Sequence, residues 1–278
     1  MFLNFNGEVQ DAGTALLRAD NRAFRYGDGL FETMLVRQGR IRLGIHHVER
    51  LSAGMQLLRL TFPQPISLDI LEKQIADLCA RNKLDDVPVR ARLNVFRAAS
   101  GLYDRLDTEA WYCLEAGAQP ALGWRQDGLS LGVFPGGRKT CDAYSGIKSN
   151  NYQLSTLAGM FASEKGLDDC LLLNTHGRVA ETSKANIWWS SNDRIYTPPL
   201  SEGCVAGVMR RFLLEALPAA GYIVQEQPIS PDELSEVDEV FVSNAIQGVQ
   251  WVRELAGHGL RCRLAATIVD EIIPKIQR

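Results

Sequence analysis

The stretch AYSGIKSNNYQ, residues Ala143–Gln153, holds a single lysine, Lys148, among small, polar and aromatic residues. The neighbouring cationic residues along the chain are Lys139 and Lys165. A lysine that must lose its proton to react is favoured by neutral, buried surroundings. The alternative is an ordinary turn lysine between a Ser-Gly bend and a helix. The stretch alone favours the turn, and the rest of the chain decides between the two interpretations.

The composition is that of an ordinary soluble globular protein. The 278 residues are 46% hydrophobic and 23% charged, with a formal net charge of −3. That charge argues against a general nucleic-acid or membrane-surface binder. No apolar run approaches the ~20 residues of a membrane span, and the start of the chain lacks the pattern of a signal peptide. We expect a cytoplasmic protein that binds neither nucleic acid nor membrane.

The cysteines and histidines do not predict a metal site. The six cysteines are scattered, and the four histidines have no metal-ligand spacing to another histidine, cysteine or carboxylate. We therefore assign no metal, and we expect free thiols of the kind found in a reducing compartment.

The order of patterns predicts an α+β chain with two lobes. Turn signals at Asn6-Gly7, Gln38-Gly39 and His176-Gly177 predict hairpins, and Ser67 is a plausible N-cap of a helix. The segment PGGRKTCDAYSG has the composition of a linker. The predicted organisation is a smaller α/β N-terminal domain (1–120), a linker region (121–145) and a larger C-terminal domain (146–278) that carries the lysine. A cleft between two lobes is a common place for a ligand.

Two charged residues outside the opening stretch are candidates for ligand binding. In HHVERL, Arg50 can share a helix face with His46 and His47, which suits a phosphate clamp or a solvated basic edge. In GRVAETSKANIWW, Glu181 precedes an apolar strand with two tryptophans, so a buried carboxylate that needs a partner is expected. That partner is either an arginine or the protonated ring nitrogen of a cofactor.

Two backbone turns could offer N–H groups to an anion. One is the helix start after Gly207, and the other is the strand end at Ser243. The turn residues are Val208, Met209, Asn244 and Ala245. A lysine for a Schiff base, a carboxylate for a pyridinium nitrogen, and an arginine with two turns for a phosphate are the parts that a pyridoxal 5′-phosphate enzyme requires.

The ordered set YGDGLFET, HHVERL, GIKSNNY, AETSKANIWW, GVMRR and FVSNA resembles the fold-type IV pyridoxal-phosphate enzymes, or class IV aminotransferases. The resemblance runs from about residue 3 to about residue 260. The family includes 4-amino-4-deoxychorismate lyases, D-amino acid aminotransferases and branched-chain aminotransferases. It implies a two-lobed fold with pyridoxal 5′-phosphate in the interdomain cleft, and a homodimer that acts on a small amino substrate with a carboxylate.

The resemblance also implies roles for individual residues. Lys148 is expected to be the Schiff-base lysine and proton shuttle, Glu181 the carboxylate on the ring nitrogen, and Arg50 the phosphate arginine. Tyr152 is the candidate partner of the ring hydroxyl, although it comes one residue early against the branched-chain pattern. The positions that match phosphate-binding residues are Val208, Met209, Asn244 and Ala245. The expected substrate contacts are Arg97, Tyr26 and Phe31.

Arg97 lies in NVFRAASGLYDR, where the lyase pattern RGxGxRGY and the D-amino acid enzymes have an arginine facing the substrate carboxylate. The strand period places Arg90 and Arg92 on one face and Arg97 on the other. The alternative for Arg97 is an ion pair with Asp104 or Glu115. The second arginine and the second glycine of the lyase pattern are missing from this stretch.

The members of this family catalyse different reactions, and the motifs differ between them. YGDGLFET resembles the lyases and the D-amino acid aminotransferases, and it departs from the YGTxxFEG pattern of the branched-chain enzymes. The leading activity is 4-amino-4-deoxychorismate lyase, which forms 4-aminobenzoate and pyruvate in folate biosynthesis. The alternative is an aminotransferase of amino-acid metabolism that acts on a branched-chain or D-amino acid and a 2-oxo acid. A non-catalytic binding protein on this fold would have lost Lys148 or Glu181, and both are present.

Overall fold

The computed structural model describes residues 1–63, 66–84, 86–120 and 123–276. Contacts between Cα atoms divide the chain into two compact units. The first unit holds the described residues of Met1–Leu122 together with Ile147–Asn151, and the second holds Gly123–Gly146 and the described residues of Tyr152–Gln277. The predicted linker region begins at residues 121 and 122, which lie outside the described residues, and Gly123–Gly146 is part of the second unit.

The first unit is built on an antiparallel sheet. Its strands are β1 (Phe2–Phe5), β2 (Glu8–Asp11), β3 (Gly29–Arg37), β4 (Arg40–Ile41), β5 (Val89–Arg97) and β6 (Ala110–Ala118). Its helices are α1 (Arg22–Tyr26), α2 (Gly44–Leu57) and α3 (Leu68–Asn82). The strand order is β2-β1-β6-β5-β3-β4, and every neighbouring pair is antiparallel.

Local turn and cap chemistry explains where these elements begin and end. Asn6 and Gly7 have φ angles of 53° and 95°, and Gln38 and Gly39 have φ angles of 50° and 74°. Positive φ at both central residues is the geometry of a tight hairpin, so both predicted hairpins are confirmed. The Ser67 hydroxyl accepts a hydrogen bond from Ile70 N at 3.3 Å, which confirms it as the N-cap of α3.

The two faces of the first sheet differ in chemistry. Leu93 and Val95 of β5 face the hydrophobic core, which helices α2 and α3 complete. The alternate residues Arg92 and Asn94 project from the opposite face, and Asn94 lies directly across from Phe31 of β3. The strand alternation predicted for this segment is therefore confirmed. As a result, the polar side chains of β5 lie on the same face of the sheet as the ring of Phe31.

The segment that carries Lys148 is paired with the beginning of β3. Phe31 N donates to Lys148 O at 2.9 Å, and Asn150 N donates to Gly29 O at 2.9 Å. Strand β4 has only two residues and pairs with Val36 and Arg37 at the far end of β3, so the first residues of β3 have an edge open to another strand. This pairing groups Ile147–Asn151 with the first unit, whereas the sequence interpretation put Lys148 in the C-terminal domain.

The second unit contains a larger mixed sheet. Its strands are β7 (Leu129–Val133), β8 (Asp169–Leu173), β9 (Val179–Thr182), β10 (Asn186–Ser191), β11 (Arg194–Thr197), β12 (Ile223–Glu226), β13 (Glu239–Asn244), β14 (Gly248–Leu255) and β15 (His258–Gly259). Its helices are α4 (Gln153–Glu164), α5 (Val208–Ala219), α6 (Pro231–Ser235) and α7 (Leu264–Thr267), with a short 3-10 helix at Leu200–Glu202. A π-helical turn at Ile268–Ile272 and a 3-10 turn at Ile273–Lys275 end the described chain.

The second sheet has the order β12-β11-β10-β13-β14-β7-β8-β9, with β15 paired to β14. Strands β8 and β9 form the predicted hairpin, and Gly177 supplies the positive φ of 75° that the turn needs. The core side chains include the fully buried Ile187 of β10 and Val240 of β13. Among the described residues no helix has the length and apolarity to cross a membrane, and all six cysteines are free thiols.

Candidate active site

Lys148 lies against an aromatic ring of the first unit. Its Nζ is 4.5 Å from the ring centroid of Phe31, and the guanidinium carbon of Arg92 is 3.9 Å from the same centroid. Phe31 is buried in the sheet, and its own N–H binds the Lys148 carbonyl. The structure thus places Lys148 on an ordered strand-like segment and not in an exposed turn.

Arg92 is a functional candidate that sequence reasoning missed. Strand alternation placed Arg92 on the face opposite Arg97. It could not show which of the two faces lies next to Lys148, because that depends on how β3 and β5 are paired, and periodicity does not give the register of the pair. The signal available in the sequence was the alternation itself, because it separates Arg92 from the apolar residues of β5. Arg92 and Lys148 contact the same ring, so the Arg92 guanidinium is a candidate partner for a substrate carboxylate.

Arg97 has a different environment from the predicted one. It is 7% exposed. Its Nε and Nη2 bind both carboxylate oxygens of Asp28, at 2.9 and 3.3 Å. Nη2 also donates to Leu58 O at 2.7 Å, and Nη1 donates to the carbonyls of Arg59 and Asp107. All five N–H donors of the guanidinium are engaged with protein acceptors.

These contacts argue against the predicted role of Arg97 in substrate binding. Its anionic partner is Asp28, and neither Asp104 nor Glu115, which the sequence offered as alternatives, accepts from it. Asp28 also pairs with Arg22 at 2.9 Å. Arg97 therefore holds the entry to β3 against the end of α2.

Arg50 is oriented by a buried carboxylate. Arg50 and His47 follow one face of α2, and both reach Glu32 of β3, through Arg50 Nε to Oε1 at 2.8 Å and His47 Nδ1 to Oε2 at 2.6 Å. Arg50 Nη2 bonds to Glu32 as well. The predicted solvated edge is thus absent at Arg50, which is mostly buried. Its predicted role at a phosphate stays a prediction.

The electrostatics of this trio follow from its burial. Burial opposes the charge of Glu32, but the Arg50 guanidinium and His47 outweigh it and lower the pKa of that carboxyl from 4.5 to about 2. Burial also lowers the pKa of His47, so its ring is neutral at neutral pH. Glu32 is consequently ionised, and its two oxygens fix the orientation of the Arg50 guanidinium.

The two remaining substrate candidates of the first unit differ in exposure. Tyr26 ends α1 and is partly exposed, with its ring edge-on to Tyr103 at 5.6 Å. Phe31 is buried, and its ring contacts the cationic groups of both Lys148 and Arg92. Phe31 is therefore the candidate that lies beside the lysine.

Glu181 is the buried carboxylate of the second unit. It lies in β9 and is 4% exposed. Its Oε1 binds the ammonium of Lys139, and its Oε2 accepts from Val205 N at 3.0 Å. The sequence predicted a buried acid that needs a partner, and the structure supplies a lysine where the alternative named an arginine. Burial, with Glu181 nearby, raises the pKa of the Cys204 thiol to about 12, so this thiol is not a nucleophile.

The two predicted phosphate turns converge within the second unit. No side chain caps α5, whose first residues are Val208 and Met209. A Cβ on the preceding Gly207 would lie 1.9 Å from Asn186 Oδ1, so a side chain there would displace the Asn186 amide, whose nitrogen donates to Val205 O. Asn186 of β10 pairs in register with Ser243 of β13. The start of α5 and the end of β13 are thus brought to the same strand.

The remaining predicted residues lie at element ends. The Asn244 side chain accepts from Ile246 N at 3.0 Å and Gln247 N at 2.7 Å, which shapes the turn around Ala245. Tyr152 is the N-cap residue of α4, and its carbonyl accepts from the Thr156 hydroxyl at 3.0 Å. Within the described chain, histidines, cysteines and carboxylates form no group that could hold a metal ion.

The fold is that of the pyridoxal-phosphate enzymes of fold type IV, which confirms the predicted fold class. The model of the family Amino-transferase class IV matches residues 29–255, so the chain belongs to that family. An aminodeoxychorismate lyase from Vibrio harveyi is 30% identical over 233 residues, 82% of this chain and 83% of the relative.

Solved structures share this fold. A 4-amino-4-deoxychorismate lyase from Pseudomonas aeruginosa has a TM-score of 0.84 and 29% identity, and the match covers 99% of both chains. The PLP-bound form of a hypothetical aminotransferase from Mycobacterium tuberculosis has a TM-score of 0.82 and 23% identity, over 99% of this chain and 98% of the other.

The buried trio predicts an acid-dependent contribution to stability. Glu32→Gln should lower the free energy of unfolding at neutral pH by about 3 kcal/mol, because it removes a carboxylate whose folded pKa is depressed. The contribution is complete above the ordinary pKa of 4.5 and is lost as the pH falls towards about 2. Urea unfolding at a series of pH values should therefore show the gap between parent and variant closing on acidification.

The matched control for this experiment is Asp77→Asn, at an exposed position of α3. It should leave the unfolding free energy nearly unchanged across the same pH series. A gap between the parent protein and Glu32→Gln that stays constant down to acid pH would contradict the assignment.

Proposed function

We propose that the chain is a pyridoxal 5′-phosphate-dependent 4-amino-4-deoxychorismate lyase, which forms 4-aminobenzoate and pyruvate. The observation that carries the reaction type is that the Lys148 amine and the Arg92 guanidinium both contact the ring of Phe31. The choice of lyase rests on the likeness to two lyases along most of the chain. The alternative is an aminotransferase, which would use the same lysine and the same buried carboxylate.

The donors and acceptors of the chain fit this cofactor. Each oxygen of Glu181 accepts one hydrogen bond from the protein, and a carboxylate has about four lone-pair sites, so it can also accept from a protonated ring nitrogen. The N-terminus of α5 has no side-chain cap and suits a phosphate. We assign Arg50, Val208, Met209, Asn244 and Ala245 to the phosphate, and Tyr152 to the ring hydroxyl.

Bound pyridoxal 5′-phosphate would supply an electron sink for the bond-breaking step. Lys148 supplies the nucleophilic amine and, once displaced by the substrate amine, the base. It would remove the proton from the substrate carbon that bears nitrogen. The C–O bond to the enolpyruvyl group would then break, the ring would become aromatic, and the released enolpyruvate would take up a proton on carbon to become pyruvate. In the aminotransferase alternative, the lysine returns that proton to the cofactor side and a 2-oxo acid is released.

We further propose that the enzyme works as a cytoplasmic homodimer. Six free thiols are typical of a reducing compartment. The first unit exposes large apolar side chains around α1 and the loop after β5, with Phe24 at 74% and Leu106 at 93% exposure. Phe24 also lines an open cavity of about 520 Å³, together with Leu17 and Phe96. Such a surface suits a second copy of the chain, and sedimentation of the purified protein at twice the monomer mass would support it.

The proposed activity is tested by assay of the purified enzyme. Aminodeoxychorismate should be converted to 4-aminobenzoate and pyruvate, and a panel of L- and D-amino acids with 2-oxo acids should be turned over far more slowly. Borohydride reduction followed by peptide mapping should place the cofactor on Lys148. Label on Lys139 or Lys165 would refute the lysine assignment, and efficient amino transfer without 4-aminobenzoate would decide for the alternative.

Substitution of Arg92 should change substrate binding, whereas substitution of Arg97 should change stability. Arg92→Met is expected to raise KM for the carboxylate substrate roughly ten- to a hundredfold, because it removes a charged hydrogen bond to that carboxylate. Arg97→Met should instead lower the unfolding free energy by about 1–3 kcal/mol, because Asp28 keeps Arg22 as a partner but the buried carbonyls of Leu58 and Asp107 lose their donor. Steady-state kinetics and urea unfolding of both variants give the comparison, and the reverse pattern would return substrate binding to Arg97.

A further inference from the structure

Lys139 is a partly buried lysine that the proposed chemistry does not use. Its side chain is 14% exposed and that of Glu181 is 6% exposed, and the two form a direct ion pair. The other oxygen of Glu181 is held by Val205 N at 3.0 Å. A buried carboxylate needs such compensation, because an unpaired charge in a poorly solvated place is costly.

The backbone holds Lys139 in place. Lys139 N donates to Leu173 O at 2.9 Å, and Thr175 N donates to Lys139 O at 3.0 Å. These two bonds form a parallel bridge to Asn174, just beyond the end of β8. Glu181 lies on β9, opposite Leu172 of the same β8. Both members of the ion pair are thus attached to one hairpin.

The N–H of Val205 is fixed on the other side of Glu181. Glu202 is bound by Arg178 through both carboxylate oxygens, at 2.6 and 2.8 Å, which anchors the short 3-10 helix before Val205. Gly203 has a φ of 87°, and a Cβ there would lie 2.2 Å from Thr140 O. The chain therefore passes directly against the neighbour of Lys139. The two donors to Glu181 belong to one tightly packed frame.

We propose that Lys139 is a positioning residue that sets the charge state of Glu181 and, through it, keeps the cofactor ring nitrogen protonated. This inference rests on the proposed function. A carboxylate and a ring nitrogen in contact share one proton, which can reside on either group. The ammonium of Lys139 contacts the carboxylate directly, and a ring nitrogen bound by that carboxylate would be the more distant of the two groups. Because Coulomb energy falls with distance, it stabilises the carboxylate more than it destabilises the pyridinium.

A purely structural counter-ion would behave differently. It would contribute to stability, and its neutral replacement would leave the position of the shared proton unchanged. A positioning residue moves that proton and lowers kcat more than it raises KM, because the ring nitrogen matters for bond breaking more than for binding. The two roles therefore differ in a spectroscopic signal and in the division between kcat and KM.

The test compares four variants with the parent, each loaded with pyridoxal 5′-phosphate labelled with ¹⁵N in the ring. Lys139→Met removes the charge, Lys139→Arg keeps it, Lys165→Met is the control at an exposed lysine of the same unit, and Glu181→Gln is the reference for a lost carboxylate. Ring ¹⁵N NMR should show a pyridinium signal for the parent, Lys139→Arg and Lys165→Met. Lys139→Met should move towards the neutral pyridine position, as Glu181→Gln does, and its kcat should fall at least tenfold.

Loading is established first by borohydride reduction of the parent protein. A parent that carries no cofactor on Lys148 overturns the proposed function and this inference with it. A loaded Lys139→Met with an unchanged pyridinium signal overturns this inference alone. If Lys139→Met does not fold, as judged by urea unfolding without cofactor, Lys139→Gln takes its place. A shifted signal in folded Lys139→Arg would also contradict the role of the charge.

Discussion

A carboxylate buried in a protein has to be matched by donors, and each unit of this chain arranges its candidate residues around one such group. In the first unit, Glu32 collects His47 and Arg50 from α2, so that the helix is fixed to β3 at one point. In the second unit, Glu181 collects Lys139 and the N–H of Val205. Arg50 is thus oriented by an acid of its own unit, and Glu181 is itself held by two donors of the protein.

Much of this could be predicted from local sequence signals. Hairpins at Asn6-Gly7 and His176-Gly177 and the cap at Ser67 depend on the conformational preferences of one or two residues, so periodicity and turn chemistry suffice. Family membership was also accessible, because the ordered motifs extend over most of the chain. The burial of Glu181 followed from the apolar strand beside it.

What could not be predicted depends on register and on long-range pairing. Arg92 and Arg97 are five residues apart on one strand, and the strand period gives their opposite faces but not the residues that lie across from them. The motif match favoured Arg97, although the residues around it depart from the lyase pattern at Ala98 and Leu102. In the structure, the Arg97 guanidinium is bound to Asp28. Lys139 was similarly hidden, because its partner Glu181 is 42 residues away.

Two glycines of the second unit, Gly203 and Gly207, limit how its sequence can vary. A Cβ would lie 2.2 Å from Thr140 O at the first position and 1.9 Å from Oδ1 of the buried Asn186 at the second, so a side chain at either position forces its surroundings to rearrange. In a mutational scan, both positions would tolerate almost no replacement, as reactive residues do. Their intolerance would result from a lack of space. A map of the positions that tolerate no substitution would therefore include more residues of this unit than those that take part in the reaction.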